Sequence, residues 1–163
     1  MRGFSTPRPA TVDDDLGAVH GEVPEVDAWS QIRLERARVV APSRTFVMRE
    51  EESRRIAGYY WLSPHFVGRI PTGGSGAHAE PPVPVILLGH LAVDRDFRGE
   101  AVDVALLRDA LRRAMAAAPA TSAKAVLAHA MTAELAQLYG RYGFRALPST
   151  GGQGAYLPLP PPT

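Results

Sequence analysis

The chain has 163 residues and a formal net charge of +1, long enough for one domain that folds alone by burying about two thirds of its unfolded surface. It has no cysteine, which excludes disulfides, thiolate metal sites and a cysteine nucleophile. Apolar residues make up 45% and charged residues 21%; no run is long enough to span a membrane and the first residues lack a signal-peptide core, so a cytoplasmic globular protein is expected.

Residues 1–13 are broken by Pro7 and Pro9 and are expected to be extended or poorly ordered. A helix is expected over 23–40. Pro24 suits its first turn, Glu25 and Asp27 favour its positive end, and Arg33, Arg36 and Arg38 lie toward its negative end. Residues 44–49 and 55–63 read as two strands around an acidic turn at 50–52, with Tyr59, Tyr60 and Trp61 as packing residues. Residues 64–84, rich in proline and glycine and containing the run GGSG at 73–76, read as a loop.

The apolar run 83–93 is expected to be a central strand covered on both faces. A polar turn follows at 94–101, then a helix from Val102 to about Met115, with the segment ending at Pro119. Periodicity puts Val104, Leu107, Leu111, Ala114, Met115 and Ala118 on its buried face and Arg108, Arg112 and Arg113 outside. Residues 124–131 form the next buried strand. Thr132 is placed to cap a helix over 133–142, which Gly143 ends. Residues 144–147 and 154–159 read as a closing hairpin, and the proline tail 158–163 as polyproline.

A strand that ends in a basic, glycine-bearing loop opening directly into a helix gathers free N–H groups and the positive helix end at one point, which suits a phosphate. The stretch LGHLAVDRDFRGEAVDVALLRDALRRA (88–114) resembles the signature region of the GNAT acetyltransferase superfamily, and more narrowly the GNAT toxins of bacterial type II toxin–antitoxin modules. PSRTFVM (42–48), IAGYYWLS (56–63), KAVLAHAM (124–131) and AELAQLYGRYGFRALP (133–148) extend the resemblance in order along the chain. It implies a single mixed α/β domain over 1–163: a twisted sheet splayed between the strands ending at Val93 and Met131, with helices on both faces. It also implies acetyl-CoA as the cofactor, held by Leu91, Ala92 and Val93 along the pantetheine arm and by Arg98, Gly99, Glu100, Ala101, Val102, Asp103 and Val104 at the pyrophosphate. The family pattern usually has glycines where this chain has Ala101 and Asp103.

By the same resemblance Tyr139 stands where many GNAT enzymes carry a tyrosine near the thioester sulfur, and a phenol there can protonate the departing thiolate. The implied activity is N-acetylation of the free amine of aminoacyl-tRNA, which blocks translation. Arg33, Arg36 and Arg69 are the acceptor-side candidates, and 17 of the 18 basic residues are arginines able to pair phosphates bidentately. Implied partners are a ribbon-helix-helix antitoxin and a second copy of the chain. Two alternatives stay open: acetylation of a small molecule or a protein, and a degenerate domain with weakened acetyl-CoA binding that acts through a partner. The five histidines lack the spacing of a metal site, so no metal is expected.

Overall fold

A computed structural model of the chain describes residues 2–21, 44–68, 82–89, 91–147 and 154–160. The expected helix over 23–40, most of the proline and glycine loop, the hairpin turn at 148–153 and the last three residues of the tail lie outside the described residues. The chain divides into two compact units, Met1–Leu62 with His90–Ala110, and Ser63–Gly89 with Leu111–Thr163.

In the first unit, strands β1 (Arg8–Pro9), β2 (Arg44–Arg49) and β3 (Ile56–Val67) lie side by side and antiparallel, with Phe46 opposite Tyr60 and Met48 opposite Gly58. Alternating and aromatic residues make these strands, as expected. Phe46 and Tyr60 stack at 5.2 Å, and Tyr59, Tyr60 and Trp61 are all buried. The turn between β2 and β3 is tied by Glu50, whose carboxylate accepts from the Ser53 N–H at 2.8 Å.

Of the two alternatives for the start of the chain, extended or poorly ordered, the structure has the extended one. Phe4 bridges to Glu50, the Ser5 N–H donates to the Arg49 carbonyl at 2.8 Å, and β1 pairs with β2. The prolines are compatible with an edge strand. A buried carboxylate supplies the anchor: Asp14 accepts from both Arg8 nitrogens and the Thr11 N–H, and pairs with Arg49 on β2.

In the second unit the end of β3, β4 (Val83–Leu88), β6 (Ala125–His129), β8 (Gly154–Pro158) and β7 (Arg145–Ala146) are neighbours in that order. β4 and β6 run parallel while β6 with β8 and β8 with β7 are antiparallel, so the sheet is mixed. Val83, Val85, Ala125, Leu127 and Tyr156 form its buried cluster. β3 continues through Pro64 to Val67, further than the loop expected over 64–84 allowed. Among the described residues β3 pairs with β2 as far as Leu62.

The run 83–93 is two strands, not one. β4 ends at Leu88 beside β6, and after Gly89 the short strand β5 (Ala92–Val93) pairs with Gly58 and Tyr59 of β3. Hydropathy is continuous across the break because both pieces are apolar, and it carries no information about which neighbour each piece chooses.

Helix α1 (Val102–Thr121) passes through Pro119. Pro119 falls in the last turn, and the Thr121 hydroxyl donates to the carbonyls of Ala117 and Ala118 at 3.1 and 3.3 Å, closing the end. Its buried residues are Val102, Leu106, Leu107, Ala110 and Ala114, while Met115 is 54% exposed. The buried face is rotated from the expected one, which left out Val102, Leu106 and Ala110; Asp109 is buried with them and accepts a hydrogen bond from the Tyr60 hydroxyl. Arg108 and Arg112 point outward as expected, and Arg113 is half-buried.

Helix α2 (Ala133–Arg141) starts at the expected cap, with the Thr132 hydroxyl accepting from the Leu135 N–H at 3.2 Å. It ends at Gly143, whose φ of 92° suits a residue without a side chain. β7 and β8 pair as the expected hairpin. Among the described residues no helix is long and apolar enough to cross a membrane.

Candidate active site

All ten residues expected to hold the cofactor lie within His90–Ala110 of the first unit, where Leu91 is buried. Gly58 sets the approach of the two pieces. A Cβ at this position would stand 2.6 Å from the Ala92 carbonyl oxygen, 2.7 Å from Leu106 Cδ1 and 3.2 Å from Val102 Cγ1. The missing side chain therefore lets β5 and the start of α1 close on β3. A glycine inside an apolar strand is the sequence signal for such an approach, and it went unread. Among the described strands β5 pairs with β3 alone, which leaves its other backbone edge for an extended ligand.

Between β5 and α1 the chain makes a 3-10 turn at Arg95–Phe97 and then a sharp turn with Gly99 at φ 77° and Ala101 at φ 61°. A left-handed alanine costs about 1 kcal/mol, so the surrounding contacts must hold it. The first helical bond runs from the Ala105 N–H to the Ala101 carbonyl at 3.1 Å. The N–H groups of Val102, Asp103 and Val104 thus have no partner within the helix. Asp103 takes one of them, accepting from the Val104 N–H at 2.9 Å. A Cβ built on Gly99 would meet nothing within 4 Å, so the loop is open there. The residues present fit an acyl-CoA: a strand edge for the amide-bearing arm, and an open turn with helix amides for the anionic end, at which Asp103 competes.

The loop is held from behind. Asp94, 1% exposed, accepts from the His20 N–H at 3.0 Å and the Asp96 N–H at 2.9 Å, and pairs with Arg55 at 3.5 Å. Arg55 also pairs with Asp96 at 2.8 Å. The contacts with His20 and Arg55 were not anticipated, since these partners are far from Asp94 and Asp96 in the chain.

Tyr139 belongs to the second unit and is 1% exposed. Its ring packs against Phe144 at 5.1 Å, and its carbonyl accepts from the N–H groups of Tyr142 and Phe144 at 3.0 and 3.1 Å. The helix end is thereby folded around this one residue. Burial pushes the Tyr139 phenol well above its ordinary pKa, so it stays protonated at any physiological pH. No group among the described residues hydrogen-bonds its hydroxyl. Tyr142 is half-buried.

Arg33, Arg36 and Arg69 lie outside the described residues, as do His78 and His90. His20, His65 and His129 are exposed, and no cluster able to hold a metal occurs among the described residues.

No family model matches the sequence. The chain is 34% identical over 150 residues to the tRNA-acetylating toxin of Mycobacterium tuberculosis, covering 91% of this chain and 89% of that protein. The structure resembles that of the toxin AtaT complexed with acetyl-methionyl-tRNAfMet, with a TM-score of 0.76 at 19% identity over 96% of this chain and 95% of the other. It also resembles a tyrosine-to-phenylalanine mutant of AtaT bound to acetyl-CoA and the C-terminus of the antitoxin AtaR, with a TM-score of 0.73 at 18% identity over 96% and 93%. The two structural likenesses carry the fold, and the sequence relative carries the kinship: with its split central strand, glycine-bearing turn and helix start, this chain belongs to the GNAT acetyltransferase toxins.

Proposed function

We propose that the chain is an acetyl-CoA-dependent N-acetyltransferase that acetylates the free amine of aminoacyl-tRNA and so blocks translation. The observation that carries this reading is the turn at 98–104, with its two left-handed residues and helix amides, in a chain 34% identical to a tRNA-acetylating toxin. When bound, acetyl-CoA supplies an acetyl group as a thioester. Leu91, Ala92 and Val93 would hold the arm by backbone pairing, and Arg98, Gly99, Glu100, Ala101, Val102, Asp103 and Val104 would hold the pyrophosphate. Tyr139 would supply a phenolic proton or a hydrogen bond to the departing thiolate. The amine must also lose a proton, which water relayed to a backbone carbonyl would carry away.

Arg33, Arg36 and Arg69 receive the tRNA in this reading, and a ribbon-helix-helix antitoxin and a second copy of the chain complete the assembly. A relative bound to an antitoxin C-terminus supports the antitoxin. The contact between Asp103 and the Val104 N–H favours one further point: acetyl-CoA is held more weakly here than in a relative with glycine at that position.

The test is to incubate the protein with labelled acetyl-CoA and charged tRNA and to follow label into the aminoacyl group. Binding to tRNA should fall steeply with salt, and charge reversal at Arg33, Arg36 or Arg69 should weaken it. Transfer to a small amine with no dependence on salt would replace the tRNA reading with that of an ordinary acetyltransferase.

A further inference from the structure

The turn at 98–104 carries two carboxylates, Glu100 and Asp103, in a place that must accept a polyanion. Asp103 is occupied with the Val104 N–H. Glu100 is answered from the other end of the chain, where Arg2 Nη1 donates to its Oε2 at 3.2 Å and to the Asp96 carbonyl at 3.1 Å. The same guanidinium lies 5.2 Å from the centre of the Phe97 ring, which Arg55 also approaches at 5.0 Å and Phe4 meets edge-on at 5.9 Å. The segment bearing Arg2 is itself anchored: the Glu51 N–H donates to the Gly3 carbonyl at 2.9 Å and the Ser5 N–H to the Arg49 carbonyl at 2.8 Å.

We propose that Arg2 is a positioning residue of the acetyl-CoA site, which holds the turn through Asp96 and Phe97 and cancels the Glu100 charge beside the pyrophosphate. The inference rests on the acetyl-CoA reading above. Without Arg2, Glu100 confronts the incoming phosphates uncompensated, and the turn loses a tie to its carbonyl at Asp96. Arg2 acts on the affinity for acetyl-CoA and leaves the acceptor side alone.

Three variants test it by calorimetry with acetyl-CoA: Arg2→Met, which keeps the stem over Phe97 without charge, Arg2→Lys, which keeps the charge, and Arg2→Met with Glu100→Gln. The Arg2 side chain is 50% exposed, and such ion pairs contribute little to stability, so all three should fold, with melting curves as the check. Arg2→Met should bind about fivefold or more weakly at low salt, and the gap to wild type should narrow at about 0.5 M salt, where charges are screened. Arg2→Lys should stay within about twofold of wild type, and Glu100→Gln should recover most of the loss in the double variant. Wild-type affinity in Arg2→Met, an equal loss in Arg2→Lys, a gap insensitive to salt, or no recovery in the double variant would each overturn the proposal. Failure of the wild type itself to bind acetyl-CoA would overturn the reading of the site as well, and is told apart by that fact.

Discussion

Two helices begin in this molecule with the same backbone bond and opposite fates. In α2 the Ala136 N–H reaches the Thr132 carbonyl at 3.1 Å, and in α1 the Ala105 N–H reaches the Ala101 carbonyl at 3.1 Å. Thr132 then turns its hydroxyl onto the Leu135 N–H and closes that helix start with its own side chain. Ala101 has no acceptor to offer, adopts a left-handed φ instead, and leaves the first turn of α1 open apart from the single contact made by Asp103. A start that is closed by its cap serves the fold. A start left open at the cost of backbone strain serves a ligand. In the proposed function the helices divide the work accordingly: α1 presents the amides assigned to affinity, and α2 carries Tyr139, the residue assigned to turnover.

Tyr139→Phe should give the largest effect, lowering turnover by roughly 100-fold with acetyl-CoA affinity unchanged, as read by steady-state rates beside calorimetry. Equal turnover in the variant would break the division by taking Tyr139 out of the chemistry. Asp103→Gly should come next and act on the other quantity, tightening acetyl-CoA by about fivefold or more because a unit negative charge leaves the anion site. Asp103→Asn, which keeps an acceptor for the Val104 N–H, should fall between the two, and tight binding by the wild type would show that the carboxylate is tolerated. The smallest effect belongs to Thr132→Ala, which should cost about 1 kcal/mol of stability in a denaturant melt and leave acetyl-CoA affinity as it was. A change in affinity there would mean that the two helix starts are not separable.

What could be read in the sequence follows the range of the interactions. Thr132 with its helix, Gly143 at the helix end and the β7–β8 hairpin depend on residues a few positions apart, and each stands where expected. The turn at 98–104 was expected as an anion cradle from its pattern and its resemblance to a family, and what the structure has there is an open helix start with Gly99 and Ala101 left-handed. The buried face of α1 was misplaced, and it includes Asp109, which pairs with Tyr60 across 49 positions, a contact no local pattern shows. The ties that hold the extended start were not legible for the same reason, with Arg49 and Asp14 separated by 35 positions and Arg2 and Glu100 by 98. Gly58 is different: its signal was local and available, a glycine amid tyrosines and alanine in a strand.

The carboxylate of Asp14 makes the start of the chain a proton-linked element. Burial alone would raise its pKa, but hydrogen bonds from Arg8, the Thr11 N–H and Arg49 outweigh burial and hold it well below the usual carboxylate range. A depressed folded-state pKa stabilises the fold above the unfolded value of about 4, and that contribution drains away as pH falls below it. Asp14 joins Arg8 of β1 to Arg49 of β2 beside their backbone ladder, and the segment in front of it bears Arg2 and Phe4, which brace the turn at 98–104. Acid should therefore reach the turn by a detour, loosening residues 2–14 and raising the dissociation constant for acetyl-CoA before the rest of the protein melts. Asp14→Asn should bind acetyl-CoA more weakly than the wild type at neutral pH, and should lose the part of the acid response that comes through residues 2–14. The ionic contact at Asp14 thus couples the bracing of the turn to a proton taken up elsewhere in the chain.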